Sequence, residues 1–253
     1  MPRLDPQPAE IIDRSRRVSF RFEGRDFQAY PGDTIGSALL ASGIEIFTRS
    51  FKYHRPRGLL CVSGKCPNCL MNVNGRPNVR VCTEPVREGD QVTHQHAWPS
   101  LQWDVFGLIE KFDFLLPVGF YYKSLFQWRF LWKLAEPVIR RMAGLGRLDP
   151  AREAAGHFEY RYLHCDLAVG GGGPAGMAAA LAAGEAGIDV ALIDDQPQLG
   201  GHLRMHPENF PASASHQGKP GFQTARDLAS ALVKNPRITV LNPASAVGGY
   251  EGG

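Results

Sequence analysis

The 253-residue sequence lacks the features that would place it in a membrane, on a nucleic acid or among hydrolases. Its most apolar stretch, residues 106–134, is broken by Glu110, Lys111, Asp113, Lys123, Arg129 and Lys133. It therefore holds nothing like the 18 or so uninterrupted apolar residues that a spanning helix needs, and no transmembrane span is expected. The first 30 residues contain no apolar h-region, which argues against export and predicts a cytoplasmic, reducing setting in which disulfides do not persist. Charge of one sign is also missing. With 28 basic and 25 acidic side chains the net charge is +3, and Arg14, Arg16, Arg17, Arg55 and Arg57 form only local clusters, so nucleic acid is not expected as a partner. No Ser/His/Asp or Cys/His arrangement is readable, so no catalytic residue is assigned.

Cysteine is scarce but concentrated. Four of the five residues fall within 22 positions, as Cys61-x4-Cys66-x2-Cys69-x12-Cys82. That is the plant-type spacing for a [2Fe-2S] cluster, in which four thiolates hold two irons. Zinc in a thiolate tetrahedron and a metal-free core are the alternatives, although zinc sites usually pair their ligands as two close Cys-x2-Cys units. Gly64, Pro67 and Asn68 suit a loop that curls around an inorganic core and aims N–H groups at sulfur. Lys52 and Lys65 add positive charge to the same stretch.

The surrounding pattern predicts a small α+β domain. Residues 18–29 alternate apolar and polar on both sides of Glu23-Gly24-Arg25, as a hairpin does. Pro31-Gly32-Asp33-Thr34 is a turn whose Asp33 or Thr34 caps a helix over Ile35 to Ser42, stopped by Gly43. Leu70–Val73 and Asn78–Val81 flank the hairpin dipeptide Asn74-Gly75, and Gln91–Thr93 closes the sheet. This order is that of a β-grasp, plant-type ferredoxin-like domain over residues 14–98, with Cys82 at a strand end facing the loop ligands. Residues 99–160 read as a mainly helical, aromatic-rich linker, with helices over Leu101–Phe114 and Tyr122–Leu145, the latter interrupted by Pro137. Its aromatics are expected to pack into a core or against another subunit.

Residues 161–253 change character. Leu167–Val169 reads as a buried strand, Gly171-x-Gly173-x-x-Gly176 as a tight turn, Met177–Ala186 as an alanine-rich helix, and Ile188–Ile193 as a second strand ending at Asp194. That is the dinucleotide-binding fingerprint in its strand, turn and helix context. Gly171 makes the turn, Gly173 admits the pyrophosphate and Gly176 lets helix and strand close together, with the anion at the helix N-terminus. Asp194 is placed to accept from an adenosine ribose and to repel a 2′-phosphate, which favours FAD or NAD over NADP. Pro174 and Gly200-Gly201 suit the flavoprotein version. His202, His206 and His216 are read as solvent-facing loop residues, and Cys165 as a buried strand-edge residue outside the cluster group.

Several longer segments carry a family resemblance: Pro31–Thr34, Phe51-Lys-Tyr-His-Arg-Pro-Arg-Gly58, Pro117-Val-Gly-Phe-Tyr-Tyr-Lys123, Glu136-Pro-Val-Ile-Arg-Arg141, and Gly171–Gly176 with Asp194. Over nearly its whole length the chain resembles the N-terminal part of the α subunit of the heterotetrameric sarcosine oxidase family, nearest its cluster-bearing amine and proline dehydrogenase relatives. The resemblance implies an oxidoreductase subunit that needs a catalytic partner: an electron-transfer chain with a [2Fe-2S] cluster and FAD or NAD. It further implies an FAD-containing β subunit, a one-electron acceptor, and a secondary amine such as sarcosine or proline as substrate. Alternatives are a subunit of another cluster-flavin dehydrogenase, such as a cyanide-forming glycine dehydrogenase, or a non-catalytic assembly subunit. Only 77 residues follow Gly176, so an incomplete Rossmann-like domain is expected, either because the chain is a fragment or truncated product or because another polypeptide supplies the missing strands.

Overall fold

The computed structural model describes residues 3–95, 97–115, 119, 129–147, 149–151, 158–209 and 218–250. The segment Pro117–Lys123 lies almost wholly outside them, as do residues 122–128 of the second expected linker helix and His216. The chain forms two compact units, Met1–Asp5 with Ile11–Ala155, and Pro6–Glu10 with Gly156–Gly253.

The first unit is built on a five-stranded sheet. Strands β1 (Val18–Phe22) and β2 (Arg25–Ala29) form the expected hairpin, with Glu23 and Gly24 both at positive φ as a two-residue primed turn requires. Strand β3 (Thr48–Arg49) pairs antiparallel with β4 (Pro56–Arg57) as a separate short ribbon. Strands β5 (Leu70–Val73), β6 (Arg76–Arg80) and β7 (Gln91–Thr93) complete the main sheet in the order β2-β1-β7-β5-β6, with β1 and β7 parallel. Alternation sends Phe20, Phe22, Met71, Val73 and Val92 to one core beneath helix α1 (Ile35–Ala41), which adds Ile35, Ala38 and Leu39.

Thr34 caps α1: its hydroxyl accepts the Ser37 N–H while the Ser37 hydroxyl accepts the Thr34 N–H, a reciprocal box. Asp33 is fully buried, gripped by Arg3 at 2.7 and 3.0 Å and by the Tyr30 N–H at 2.9 Å. The order of strands and helix is that of a β-grasp fold.

Two expectations for the linker are corrected. Val105–Leu115 is a 3-10 segment with a break at Phe112 and not an α-helix over Leu101–Phe114. Asp104 accounts for the late start: its carboxylate accepts the N–H groups of both Trp98 and Phe106, which caps the segment at Val105 and takes Leu101–Trp103 out of it. Helix α2 (Arg129–Met142) continues through Pro137 instead of stopping there. The half-buried stripe Leu131, Trp132, Ala135, Ile139 and Met142 holds the helix together across the one hydrogen bond that proline removes.

The second unit alternates strand and helix: β8 (Leu167–Gly170), α3 (Pro174–Glu185), β9 (Val190–Ile193), α4 (Gly221–Lys234) and β10 (Ile238–Leu241), with a 3-10 turn at Gly201–Met205 before α4. All three strands are parallel, in the order β10-β9-β8. Met177, Ala180, Val190, Leu192 and Leu232 form its core. This is a partial Rossmann fold. The order makes β9 central and leaves β8 at the edge, so Leu167 and Ala168 are exposed and Val169 only half-buried, which corrects the buried strand read from sequence. Cys165 precedes β8 at that edge and is exposed, not buried.

Candidate functional site

The cysteine loop is bent by two residues at positive φ, Val62 and Gly64, and lies over Thr83 and Arg80. Its four thiols form a continuous series of contacts: Cys66 to Cys61, Cys61 to Cys82, and Cys82 to Cys69. Backbone donors converge on the same sulfurs. The N–H groups of Ser63, Lys65 and Cys66 point to Cys61, the one from Lys65 at 3.2 Å, and that of Gly64 points to Cys82. These bonds, led by that of Ser63, bring Cys61 down to about 6. The thiol of Cys69 donates to Cys82 and brings it down to about 7, while Cys69, holding that proton and buried, is pushed up. Thiolate is the form that ligates metal.

Cys69 and Cys82 are buried and Cys61 and Cys66 are partly exposed. Among the described residues no three His, Cys, Asp or Glu side chains surround a single point suited to one ion. Four sulfurs in series, with N–H donors aimed at them, fit a group whose two metals are bridged by sulfide.

Two neighbouring structures hold the ligands in place. The first N–H groups of α1, those of Ile35 and Gly36, bond to the carbonyls of Glu84 at 2.9 Å and Val81 at 2.8 Å, which bracket Cys82. A Cβ at position 36 would lie 2.9 Å from the Val81 oxygen, so only glycine allows this approach. Asn68, between Cys66 and Cys69, is held from the β3/β4 ribbon: the buried Thr48 hydroxyl donates to its carbonyl at 3.0 Å and Arg57 donates to its side-chain oxygen at 3.3 Å. The ribbon is itself anchored by His54, whose Nδ1 lies 2.7 Å from Asp104 with both side chains fully buried and the Phe106 ring against the imidazole. Arg49 adds bonds to the carbonyls of Leu101 and His54.

The sequence did not assign roles to Thr48, Arg49, His54 or Asp104. His54 lies in the Phe51–Gly58 run that carried the resemblance, but its partner is 50 residues away.

In the second unit the glycine turn has the expected form. Gly171 sits at φ +106 and donates to the Ile193 carbonyl at 2.7 Å. An added Cβ at Gly176 would fall 1.8 Å from the Gly171 oxygen, whereas one at Gly173, the N-cap of α3, would meet nothing within 4 Å. The first position is closed by packing; the second faces the open space in front of the helix N-terminus, where a pyrophosphate would lie. Asp194 accepts from the N–H of Gly172 and, at 2.7 Å, from that of Gln196. Its carboxylate thus fastens the glycine turn to the end of β9, with lone pairs left for a ribose. Gly200 donates to the Gly172 carbonyl at 2.7 Å, and Gly201 comes up against Gly173, giving the cradle a second wall. His202 is exposed, and His206 approaches the Glu208 carbonyl at 3.1 Å. The residues present fit a bound dinucleotide.

Comparison with known proteins accords with both sites. Residues 15–97 match the family described as a 2Fe-2S iron-sulfur cluster binding domain, and residues 166–238 match that of an FAD dependent oxidoreductase. The chain is 43% identical over 248 residues to sarcosine oxidase subunit alpha of Rhizobium meliloti, covering 96% of the chain and 24% of that relative. It is 31% identical over 88 residues to hydrogen cyanide synthase subunit HcnA of Pseudomonas aeruginosa, covering 35% of the chain and 80% of that subunit. L-proline dehydrogenase from P. horikoshii shares the fold, with a TM-score of 0.56 at 21% identity over 90% of this chain and 34% of that one. The chain spans about a quarter or less of the length of the curated sarcosine oxidase subunits it matches. No helix among the described residues is long and apolar enough to cross a membrane. The chain belongs to the 2Fe-2S cluster binding domain family that its first module matches, and as a whole it resembles the α subunit of heterotetrameric sarcosine-oxidase-like enzymes with 2Fe-2S and FAD domains.

Proposed function

We propose that this chain is the electron-transfer subunit of a flavin-dependent amine oxidoreductase, with Cys61, Cys66, Cys69 and Cys82 as ligands of a [2Fe-2S] cluster and Gly171, Gly173, Gly176 and Asp194 as the nucleotide site. A bound flavin supplies two-electron acceptance from a C–H bond beside an amine nitrogen, and a bound cluster supplies one-electron transfer onward. The observation that carries the reading is the joining of all four thiols in one connected series within a β-grasp unit, in the same chain as a glycine cradle.

The chain's own residues do the positioning. Ser63, Lys65, Gly64 and Cys66 offset thiolate charge with backbone N–H groups, which favours the reduced state. Buried Cys69 and Cys82 face the core, and the partly exposed Cys61, flanked by exposed Leu60 and Val62, offers an apolar face where a one-electron acceptor could dock. The N–H groups at the start of α3 take the pyrophosphate, and Asp194 orients the ribose.

FAD is the nucleotide favoured by the family match, with NAD the alternative. Sarcosine, proline or a related secondary amine as substrate is the reading that the relatives' names support, and a β subunit carrying the amine-oxidising flavin is part of the proposal. A cyanide-forming dehydrogenase is the second reading, favoured by the coverage of most of HcnA by the first module.

The test is anaerobic purification of the complex with its partner, followed by absorption and EPR spectra, iron and sulfide analysis, and identification of the released nucleotide. A rhombic two-iron signal on reduction and released FAD are expected. Less than half a cluster per chain would remove the cluster from the proposal, and turnover with glycine but not with secondary amines would favour the second reading.

A further inference from the structure

The end of α2 is seated on the first unit's sheet in a way that the cluster ligands do not require. Gly144 and Gly146, at φ +61 and +70, turn the chain back toward β6, where Gly146 meets Pro77 so closely that an added Cβ would lie 2.4 Å from the proline ring. Asn78 donates to the Leu145 carbonyl and Gln95 to the Gly144 carbonyl, each at 2.8 Å, and Gln95 also donates to Asn78 at 2.6 Å. Between this seat and the segment after β7 lies a cleft of about 640 Å³.

Its charge is one-sided. Arg140, Arg141 and Arg147 line it together with a single carboxylate, Glu136, which reaches Arg140 loosely at 3.7 Å. Arg141 and Arg147 form no ion pair among the described residues. His94, on the opposite wall, is held 2.8 Å from Glu23, whose hydrogen bond raises the imidazole's pKa and so favours its charged form.

A basic last turn often serves a helix by meeting its unpaired carbonyls. Here the Ile139 and Arg141 carbonyls of the last turn already accept the N–H groups of Ala143 and Gly144, and Arg147 lies beyond the helix. The guanidinium groups are therefore available for something else.

We propose that this cleft is a binding site for a compact multivalent phosphate, of pyrophosphate type, separate from both the cysteine loop and the glycine cradle. Guanidinium forks match phosphate oxygens two at a time, and several of them around one concavity bind a multiply charged anion better than a monovalent one. Among the described residues the only aromatic ring that lines the cleft is the His94 imidazole, which Glu23 holds, so no Phe, Tyr or Trp there offers a stacking platform for a nucleobase. That favours the bare phosphate chemistry over a nucleotide.

The experiment is calorimetric titration of the full chain with inorganic pyrophosphate at fixed ionic strength, comparing the unaltered chain, Arg141→Gln/Arg147→Gln, and Glu136→Gln. Any binding at the glycine cradle is common to all three. The double arginine variant should bind at least about tenfold more weakly, and Glu136→Gln, which removes the one carboxylate among the described lining residues, should bind more tightly. A gain of affinity is a result that misfolding would not produce. Equal affinity in the double arginine variant, no response to Glu136→Gln, or no saturable binding at all would each overturn the proposal.

Discussion

Thr48→Val tests whether the β3/β4 ribbon holds the ligand loop. The side chains have nearly the same shape, and Thr48 is 1% exposed, so the change removes one buried hydroxyl and its 3.0 Å bond to the Asn68 carbonyl while leaving packing intact. A neutral hydrogen bond contributes about 1 kcal/mol net, and a stranded buried carbonyl costs about 1–3 kcal/mol. Arg57 still holds the Asn68 side chain at 3.3 Å, which places the expected cost at the lower end. Against a loop-opening equilibrium, about 1.4 kcal/mol is a factor of about ten. With iron chelator in excess, visible absorbance should therefore decay roughly tenfold faster in Thr48→Val than in the unaltered chain, while the urea midpoint moves little. Arg57→Gln should have a smaller effect, and the double variant should exceed either. Unchanged decay with intact folding would refute the idea that Asn68 is a tether.

Gly173→Ala and Gly176→Ala separate cradle from scaffold. The first puts a methyl into open space and should keep the unit folded while weakening FAD binding by about tenfold or more. The second drives a methyl into the Gly171 carbonyl and should lower the thermal midpoint of the second unit as well; equal behaviour of the two would contradict the assigned roles. The Glu23–His94 pair predicts a pH window. The His94 pKa is raised by Glu23, so its stabilising contribution is complete below the unfolded value of 6.5 and is lost as pH rises through the higher folded value. Burial opposes ionisation of Glu23 but is outweighed by its bonds to His94, so its contribution is present above 4.5 and is lost as pH falls through the lower folded value. The pair should stabilise the first unit most between about pH 4.5 and 6.5, and Glu23→Gln should lower the denaturation midpoint within that range and flatten its fall on either side; an unchanged profile would count against it.

What the sequence disclosed was chemistry carried by neighbours. The Glu23-Gly24 turn and the Thr34 cap are each complete within a few residues and have the form expected, and the cysteine spacing and the glycine fingerprint are readable within about twenty. What it hid depends on distant partners. The β3/β4 ribbon has two residues per strand, too few for any alternation to register, and its anchor joins His54 to Asp104. Leu167–Val169 looked buried because its composition suits a central strand, but burial is decided by strand order, which local pattern does not contain. The helical segment begins at Val105 and not at Leu101 because the Asp104 carboxylate caps it there, bonding the N–H groups of Phe106 and of the more distant Trp98.

The opening of α1 has a consequence beyond geometry. The amide groups of Ile35 and Gly36 are tied to the carbonyls on either side of Cys82, so that residue cannot drift without freeing them to water. Deuterium uptake at these two backbone positions is coupled to the tightness of the fourth sulfur. The buried end of a helix thus carries a label-free readout of whether the sulfur ligand set is intact.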